Sequence, residues 1–412
     1  MTDKMQVNLR QVAMEILYEV QKNNGLLHVV LSDALKKYQY LDKNERSFIS
    51  RLVQGTEERK IELDYIIDSF SKTPVKKQKD VIRIILEMSV YQLKYMDSVP
   101  ASAVCNEAVK LAVKKNFGTL RGFVNGVLRN IARNIDNIEY PDKSTNTDKY
   151  LSVKYSVPEE LAGYFLKKFG DNETEEMFEA FNKDKSTYIR CNTKKTDIAG
   201  LTAALEAEGV TVTNEGIDKR IDYALKISGY DYLGGLKSFR DGLFFVQDIS
   251  SMLASQGGFI KRDAYVIDVC AAPGGKSINA ALMADIGHVS SRDISGRKVS
   301  LIKENAERLG IDNITYKVWD AVKKDEESVE KADVLICDLP CSGLGIIGRK
   351  PDIKYNVTYE KIKELALLQR KILSTVWEYV KKDGILIYST CTVTPEENAE
   401  NTEWFVNNYP FE

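Results

Sequence analysis

The chain has 412 residues, 43% of them hydrophobic and 29% charged, and a formal net charge of -2. That length suits two or three domains with sizeable cores, and the near-neutral balance excludes a globally basic nucleic-acid binder, so any such surface must be local. Six cysteines without framework spacing point to reduced thiols, the two histidines (His28 and His288) offer no His-rich metal site, and neither a membrane-length apolar run nor a signal core is present, so a cytoplasmic protein without metal or membrane partner is expected.

Residues 1 to about 135 read as helix after helix. Val12, Ile16, Leu17 and Val20 keep helical spacing, and Ile61, Tyr65 and Ile66 open another apolar face. Val81, Ile84, Ile85, Met88, Tyr91 and Leu93 make a strongly apolar helix suited to the centre of a bundle. Pro100 breaks the pattern, and Ser102 is expected to cap the next helix, through Ala108, Leu111 and Ala112. Between Ala101 and Ile135 stand Lys110, Lys114, Lys115, Arg121, Arg129 and Arg133 against one acid, Glu107. Such a run is most often a solvated helix face. The Gly122-Phe123-Val124-Asn125-Gly126 setting tilts the reading toward RNA backbone contact, because small residues let a helix end approach a phosphate.

Residues 136–150 are polar and aperiodic, as in a linker. A helical pair follows (Pro158–Phe169, Glu173–Phe181), then a strand (Thr187–Asn192), a helix (Asp197–Glu208) and two strands (Val210–Thr213, Tyr223–Ser228). That small α+β unit has the size of an accessory nucleic-acid-binding module, with Tyr188 and Arg190 as candidates for base stacking and phosphate contact. An ordinary place on an edge strand is at least as common a role for both.

From Phe244 onward strands and helices alternate, over 265–270, 278–284, 287–293, 295–309, 313–318, 333–338, 359–381, 384–390 and 397–408. Short strands with helical crossovers make a doubly wound, mostly parallel sheet. The expected organisation is therefore multidomain: an all-α bundle over 1–140, a small α+β domain over 150–240, and an α/β Rossmann-like domain over 241–412.

The stretch that organises the last domain is Tyr265-Val-Ile-Asp-Val-Cys-Ala-Ala-Pro-Gly-Gly-Lys-Ser277. A β-branched strand meets a turn forced by Pro273, Gly274 and Gly275, and a helix follows from Ser277, which is how open α/β sheets receive a ligand at a strand's carboxyl end. A Walker phosphate loop would need glycine where Cys270 stands, and the Gly-x-Gly-x-x-Gly fingerprint is absent. What remains suits a nucleoside cofactor without phosphates. Asp293, about twenty residues past the turn, can take both hydroxyls of a ribose, and Asp320, after the next strand, can accept from an exocyclic amine. Either acid alone would more often be a helix cap or surface residue. Two at the right offsets from one glycine turn reverse that preference.

The next strands end at Asp338 and Thr390, followed by Leu339-Pro340-Cys341-Ser342-Gly343 and Cys391-Thr392-Val393-Thr394-Pro395-Glu396-Glu397-Asn398. Neighbouring strands lie roughly 5 Å apart, so Cys341 and Cys391 can converge on one pocket. Cysteines at strand ends are often small buried hydrophobes, Cys337 and Cys341 with Cys391 fall short of a metal's ligand set, and a disulfide between Cys341 and Cys391 is disfavoured in a reducing cytosol; Cys337 is read as core. A nucleophilic thiol beside an acid and a nucleoside cofactor suits methylation at C5 of cytosine. Thiolate attack on C6 makes C5 enamine-like, an acid at N3 stabilises the adduct, and loss of the C5 proton expels the thiol. The chemistry alone leaves open which cysteine attacks.

These three motifs resemble the cofactor and cysteine motifs of the RNA cytosine-5 methyltransferases, the Nol1/Nop2/Sun family. Val99-Pro-Ala-Ser-Ala-Val-Cys-Asn-Glu-Ala-Val109 and Phe123-Val-Asn-Gly-Val-Leu-Arg-Asn130 resemble a NusB-type RNA-binding domain. The pairing points to the bacterial Sun/Fmu group, so the resemblance implies S-adenosyl-L-methionine as cofactor, 16S ribosomal RNA as partner, and a monomer. It implies that Cys270, Ala271, Ala272, Pro273, Gly274, Gly275 and Lys276 wrap the cofactor, that Asp293 holds its ribose and that Asp320 sits near its adenine. Asp338 is implied at the cofactor and base pocket as the N3 partner, Cys391 as nucleophile, and Cys341 in product release. Family members continue past this C-terminus into a final pair of strands, so the resemblance implies a truncated chain or a differently finished sheet edge.

Overall fold

The structure, a computed structural model, describes residues 7–23, 25–183 and 186–412. It divides into two compact units, Met1–Lys183 with Ile346–Tyr359, and Asp184–Gly345 with Glu360–Glu412.

The first unit is helical: α1 (Leu9–Asn23), α2 (Leu27–Lys37), α3 (Lys43–Glu58), α4 (Lys60–Phe70), α5 (Asp80–Tyr95), α6 (Ala101–Lys114), α7 (Arg121–Asn134), α8 (Thr147–Tyr155), α9 (Glu159–Phe169) and α10 (Asp171–Phe181). Val12, Ile16, Leu17 and Val20 of α1 are buried as their spacing predicts, and α5 is buried from Ile84 to Gln92 on every face, as a central helix must be. Helix α6 starts two residues earlier than expected, at Ala101 with Pro100 before it, so Ser102 lies inside the first turn and does not cap it. Helix α8 falls partly in the expected linker; its polar sequence carries no helical period, and its start is fixed locally by Asn146, whose side chain accepts from Lys149 N at 2.9 Å.

This unit also buries charge. Glu57, Glu62 and Glu87 are at most 2% exposed. Gln21 Nε2 donates to both Glu57 (3.1 Å) and Glu87 (3.0 Å), and Arg83 Nε lies 2.8 Å from Glu87. The segment 346–359 belongs to the same network: Lys354 Nζ donates to Glu58 O at 2.7 Å, Tyr355 OH to Glu57 O at 2.8 Å, and Leu27 N to Asp352 Oδ2 at 3.2 Å. Lys110, Lys114, Arg121, Arg129 and Arg133 are exposed on α6 and α7, while Lys115 pairs with Glu15 at 2.7 Å.

The second unit holds two sheets. The smaller, antiparallel one comprises β1 (Thr187–Cys191), β2 (Thr211–Thr213), β3 (Ala224–Ser228) and β4 (Phe244–Val246) in the order β2-β3-β1-β4, with α11 (Ile198–Ala207) and α12 (Lys237–Arg240). Strand β4 carried no readable signal because three residues are too few to show alternation. After α13 (Ile249–Gln256) come β5 (Tyr265–Asp268), α14 (Gly275–Met283), β6 (His288–Asp293), α15 (Gly296–Leu309), β7 (Ile314–Val318), β8 (Ala332–Asp338), α16 (Tyr359–Val376), β9 (Val380–Ser389) and α17 (Ala399–Asn408). The five strands are all parallel, in the order β7-β6-β5-β8-β9. The helix expected over 359–381 stops at Val376, and a short turn at Trp377–Tyr379 leads into β9. Among the described residues, no helix is long and apolar enough to cross a membrane.

Candidate active site

The carboxyl ends of β5, β6, β8 and β9 lie side by side, so the residues that follow them share one edge. Strand β5 is central because Val266, Ile267 and Val269 are buried, and it ends in Asp268, which is fully buried. The turn after it requires glycine at residue 274. Its φ is +104°, and an added Cβ would lie 3.1 Å from Ile302 Cγ2 and 3.2 Å from Ile278 Cδ1. Gly274 thereby lets the backbone cross closely over α15 and turn into α14.

Asp268 accepts from Ser277 Oγ at 2.6 Å, and Ser277 meets Ser291 Oγ at 2.8 Å. Burial pushes the Asp268 carboxyl up to about 7, and the charge of Asp338 adds to the rise. An acid with a raised folded value stabilises the fold below its unfolded pKa and loses that contribution as pH rises through the folded one. Stability should therefore fall from about pH 4 to about pH 7, and Asp268→Asn should flatten that slope in thermal melts recorded across the range. A slope unchanged by the substitution would assign the dependence to other groups.

Asp293 ends β6 and is 4% exposed, with Oδ1 accepting from Ser295 N at 3.1 Å and Lys298 Nζ 3.7 Å away. Asp320 is half-buried two residues beyond β7, and its Oδ1 accepts from Val322 N at 3.2 Å. Cys270 is close enough to Asp268, Asp293 and Asp338 that their charges, after burial, drive its thiol pKa up. The structure thus gathers the glycine turn with Asp293 and Asp338. Asp320 is at the same edge, through Trp319 N donating to Asp293 O at 3.0 Å.

Asp338 and Ser389 face each other in register at the ends of β8 and β9, and Ser389 Oγ donates to Asp338 Oδ1 at 2.9 Å. Lys276 Nζ reaches Asp338 Oδ2 at 2.7 Å, joining the glycine turn to the first cysteine loop. The Cys341 and Cys391 sulfurs are 3.1 Å apart, and Cys391 N donates to Cys341 Sγ at 3.2 Å. Cys391 is exposed and Cys341 half-buried; hydrogen bonding with Cys391 and burial raise the Cys341 pKa and keep that thiol neutral. Cys337 is buried in the core, as expected, and its pKa is raised by burial.

Glu397 ties the two cysteine loops together, a role its place in a Pro-Glu-Glu-Asn run did not announce. Its fully buried carboxylate accepts from Ser342 N (2.8 Å), Ser342 Oγ (2.5 Å), Thr394 Oγ1 (2.7 Å) and Gln369 Nε2 (3.2 Å). Gly345 closes the seam: its N donates to Cys391 O at 3.0 Å, and a Cβ there would stand 2.9 Å from that oxygen.

Arg190 does not serve as a nucleic-acid contact in this arrangement. Arg190 is 1% exposed and cannot reach an external phosphate, and half-buried Tyr188 packs against Ile221 and Met252. Burial pulls the Arg190 guanidinium down to about 9.

Residues 260–410 match the family model described as 16S rRNA methyltransferase RsmB/F, and residues 7–133 match the NusB family. Over 405 residues the chain is 36% identical to the probable ribosomal RNA small subunit methyltransferase B of Bacillus subtilis, covering 98% of this chain and 89% of that one. The chain belongs to the ribosomal RNA small subunit methyltransferase B family. The Synechocystis protein with the same description is 33% identical over 413 residues, covering 98% of this chain and 90% of that one. Among solved structures, the crystal structure of PH0851 aligns over 99% of this chain and 91% of its own with a TM-score of 0.80 and 26% identity. A methyltransferase homolog from Pyrococcus horikoshii aligns over 65% of this chain and 84% of its own, with a TM-score of 0.56 and 26% identity. The RsmB/F match takes in every strand of the parallel sheet and both cysteine loops.

Proposed function

We propose that this member of the methyltransferase B family transfers a methyl group from S-adenosyl-L-methionine to C5 of a cytosine in 16S ribosomal RNA, through a covalent bond between Cys391 Sγ and C6. The observation that carries the reading is the pair of sulfurs 3.1 Å apart at the sheet edge, one of them exposed, beside the Asp338–Lys276 pair. Of the cysteines at this edge Cys391 is the exposed one, whereas Cys337 is buried and Cys270 and Cys341 are half-buried, so Cys391 is assigned as the nucleophile.

The residues present fit the cofactor. A turn that only glycine can make, with a buried carboxylate at the next strand end, suits a ligand carrying a ribose and no phosphate. When bound, S-adenosylmethionine supplies an electrophilic methyl group on a sulfonium. Residues 270–276 would bind it, Asp293 would accept from its ribose hydroxyls, and Asp320 would stand near its adenine. Cys391, as its thiolate, would form the bond to C6 as the C5–C6 π electrons shift toward C5, and Asp338, once protonated, would donate its proton to N3 so that negative charge does not build on the ring. Lys276 would hold the Asp338 carboxylate in line. After transfer, the C5 proton passes to water, its C–H electrons re-form the C5–C6 double bond, N3 returns its proton to Asp338, and the C6–sulfur electrons leave with Cys391 as its thiolate. Cys341, held neutral, would donate a hydrogen bond to that departing sulfur. The exposed cations of α6 and α7 would engage RNA phosphates.

The test is direct: protein, methyl-labelled S-adenosylmethionine and unmodified 16S ribosomal RNA are incubated and the RNA nucleosides separated by mass spectrometry. Label in 5-methylcytidine is expected. Label in another nucleoside, or none, would reject the proposal.

A further inference from the structure

Arg190 is the buried cation that the proposed chemistry leaves unused. It sits on β1 opposite Phe245 of β4, with its guanidinium carbon 5.4 Å from the centre of the Phe245 ring. Its NH1 group donates to Gly275 O at 2.8 Å and to Gln247 Oε1. Gln247, itself 6% exposed, passes the contact on to Ser251 Oγ at 3.1 Å, and an added Cβ on Gly275 would lie 3.5 Å from Phe245 Cε1 and 3.6 Å from Gln247 Nε2. Among the described residues no carboxylate pairs with this guanidinium, and its Nε and NH2 atoms are buried without partners there. Desolvating a cation this completely is costly unless its bonds do something for the fold or the site. A charged donor on a carbonyl of the glycine turn is among the stronger hydrogen bonds available, and it fixes a residue whose backbone is otherwise loose.

The same side of the small sheet is fastened to α15 in a similar way. Asn192, two residues along from Arg190, donates to Gly242 O at 2.8 Å and to Leu309 O at 2.7 Å. Lys195 Nζ donates to Asp241 O at 2.7 Å and Arg308 O at 2.9 Å. Side-chain donors from one strand and its following loop thus hold the ends of the two helices that flank the turn.

We infer that Arg190 is a positioning residue for the cofactor, acting through Gly275 to hold the glycine turn in its ligand-binding shape, so that the antiparallel sheet is a brace for that turn. The inference rests on the reading that this turn binds S-adenosylmethionine. Calorimetry with the full-length protein separates the two: a wild type that binds no S-adenosylmethionine overturns that reading itself. If the wild type binds, Arg190→Met, which keeps the stem and removes the donors, should raise the cofactor Kd by about 10-fold or more. Cofactor KM should rise with it, while kcat at saturating cofactor and affinity for 16S ribosomal RNA stay within about two-fold. A merely structural role would move RNA affinity and kcat together with cofactor binding, and that result would overturn the inference, as would an unchanged cofactor Kd in the folded variant. Should the methionine variant not fold, Arg190→Lys carries the test, since lysine keeps the charge but lacks the planar fork. A cofactor Kd raised several-fold with RNA affinity retained supports the brace, and a Kd equal to wild type rejects it.

Discussion

Cys391→Ala is expected to lower methyl transfer on the order of 10⁴-fold or more, because without the sulfur C5 of cytosine is too weak a nucleophile to take a methyl group. Cofactor affinity should stay within about two-fold of wild type, since Cys391 lies on the loop after β9 and the glycine turn follows β5. The residue is exposed, and its backbone contacts, N to Cys341 Sγ and O from Gly345 N, need no particular side chain at 391. Denaturing gels with RNA carrying 5-fluorocytosine, whose fluorine cannot leave as a proton does, should show a covalent band for wild type and none for the variant. Substantial turnover in Cys391→Ala would assign the nucleophile elsewhere.

Cys341→Ala should fail at the opposite end of the reaction. Cys341 stays protonated because hydrogen bonding with Cys391 and burial both raise its pKa, so it can donate to the neighbouring sulfur 3.1 Å away. Removing that donor leaves the departing thiolate without its nearest stabilising group. The methylated adduct should then persist, and a protein–RNA band resistant to denaturant should build up on ordinary cytosine-containing RNA while turnover falls by about 100-fold or more. Normal turnover without such a band would remove Cys341 from the release step.

Much of this was legible before any coordinates, and for reasons that differ by element. Helix α5 stands out because its apolar residues are dense and recur at helical spacing, and the alternation of short strands with helices reports crossover connections directly. Cys341 and Cys391 could be brought together from sequence because β8 and β9 both end in a cysteine loop and adjacent strands leave little freedom. Three features were not legible. The Lys276–Asp338 pair joins residues 62 positions apart, for which spacing carries no signal. Glu397 looked like one acid in a polar run, and only its depth exposes it as the acceptor that holds both cysteine loops. Arg190 read as a surface cation because an arginine on a short strand is usually solvated; its burial depends on β4, three residues that no pattern could locate.

The segment 346–359 has a further consequence. It lies in sequence between Gly345, which closes onto Cys391, and α16, yet it is packed into the helical unit by Lys354 and Tyr355. The polypeptide therefore enters and leaves that unit more than once, and no single scission yields two whole halves. Residues 186–412 alone would carry Lys354 and Tyr355 stripped of the carbonyl partners that Glu58 and Glu57 supply. Separating the two units therefore takes three cuts, after Lys183, after Gly345 and after Tyr359.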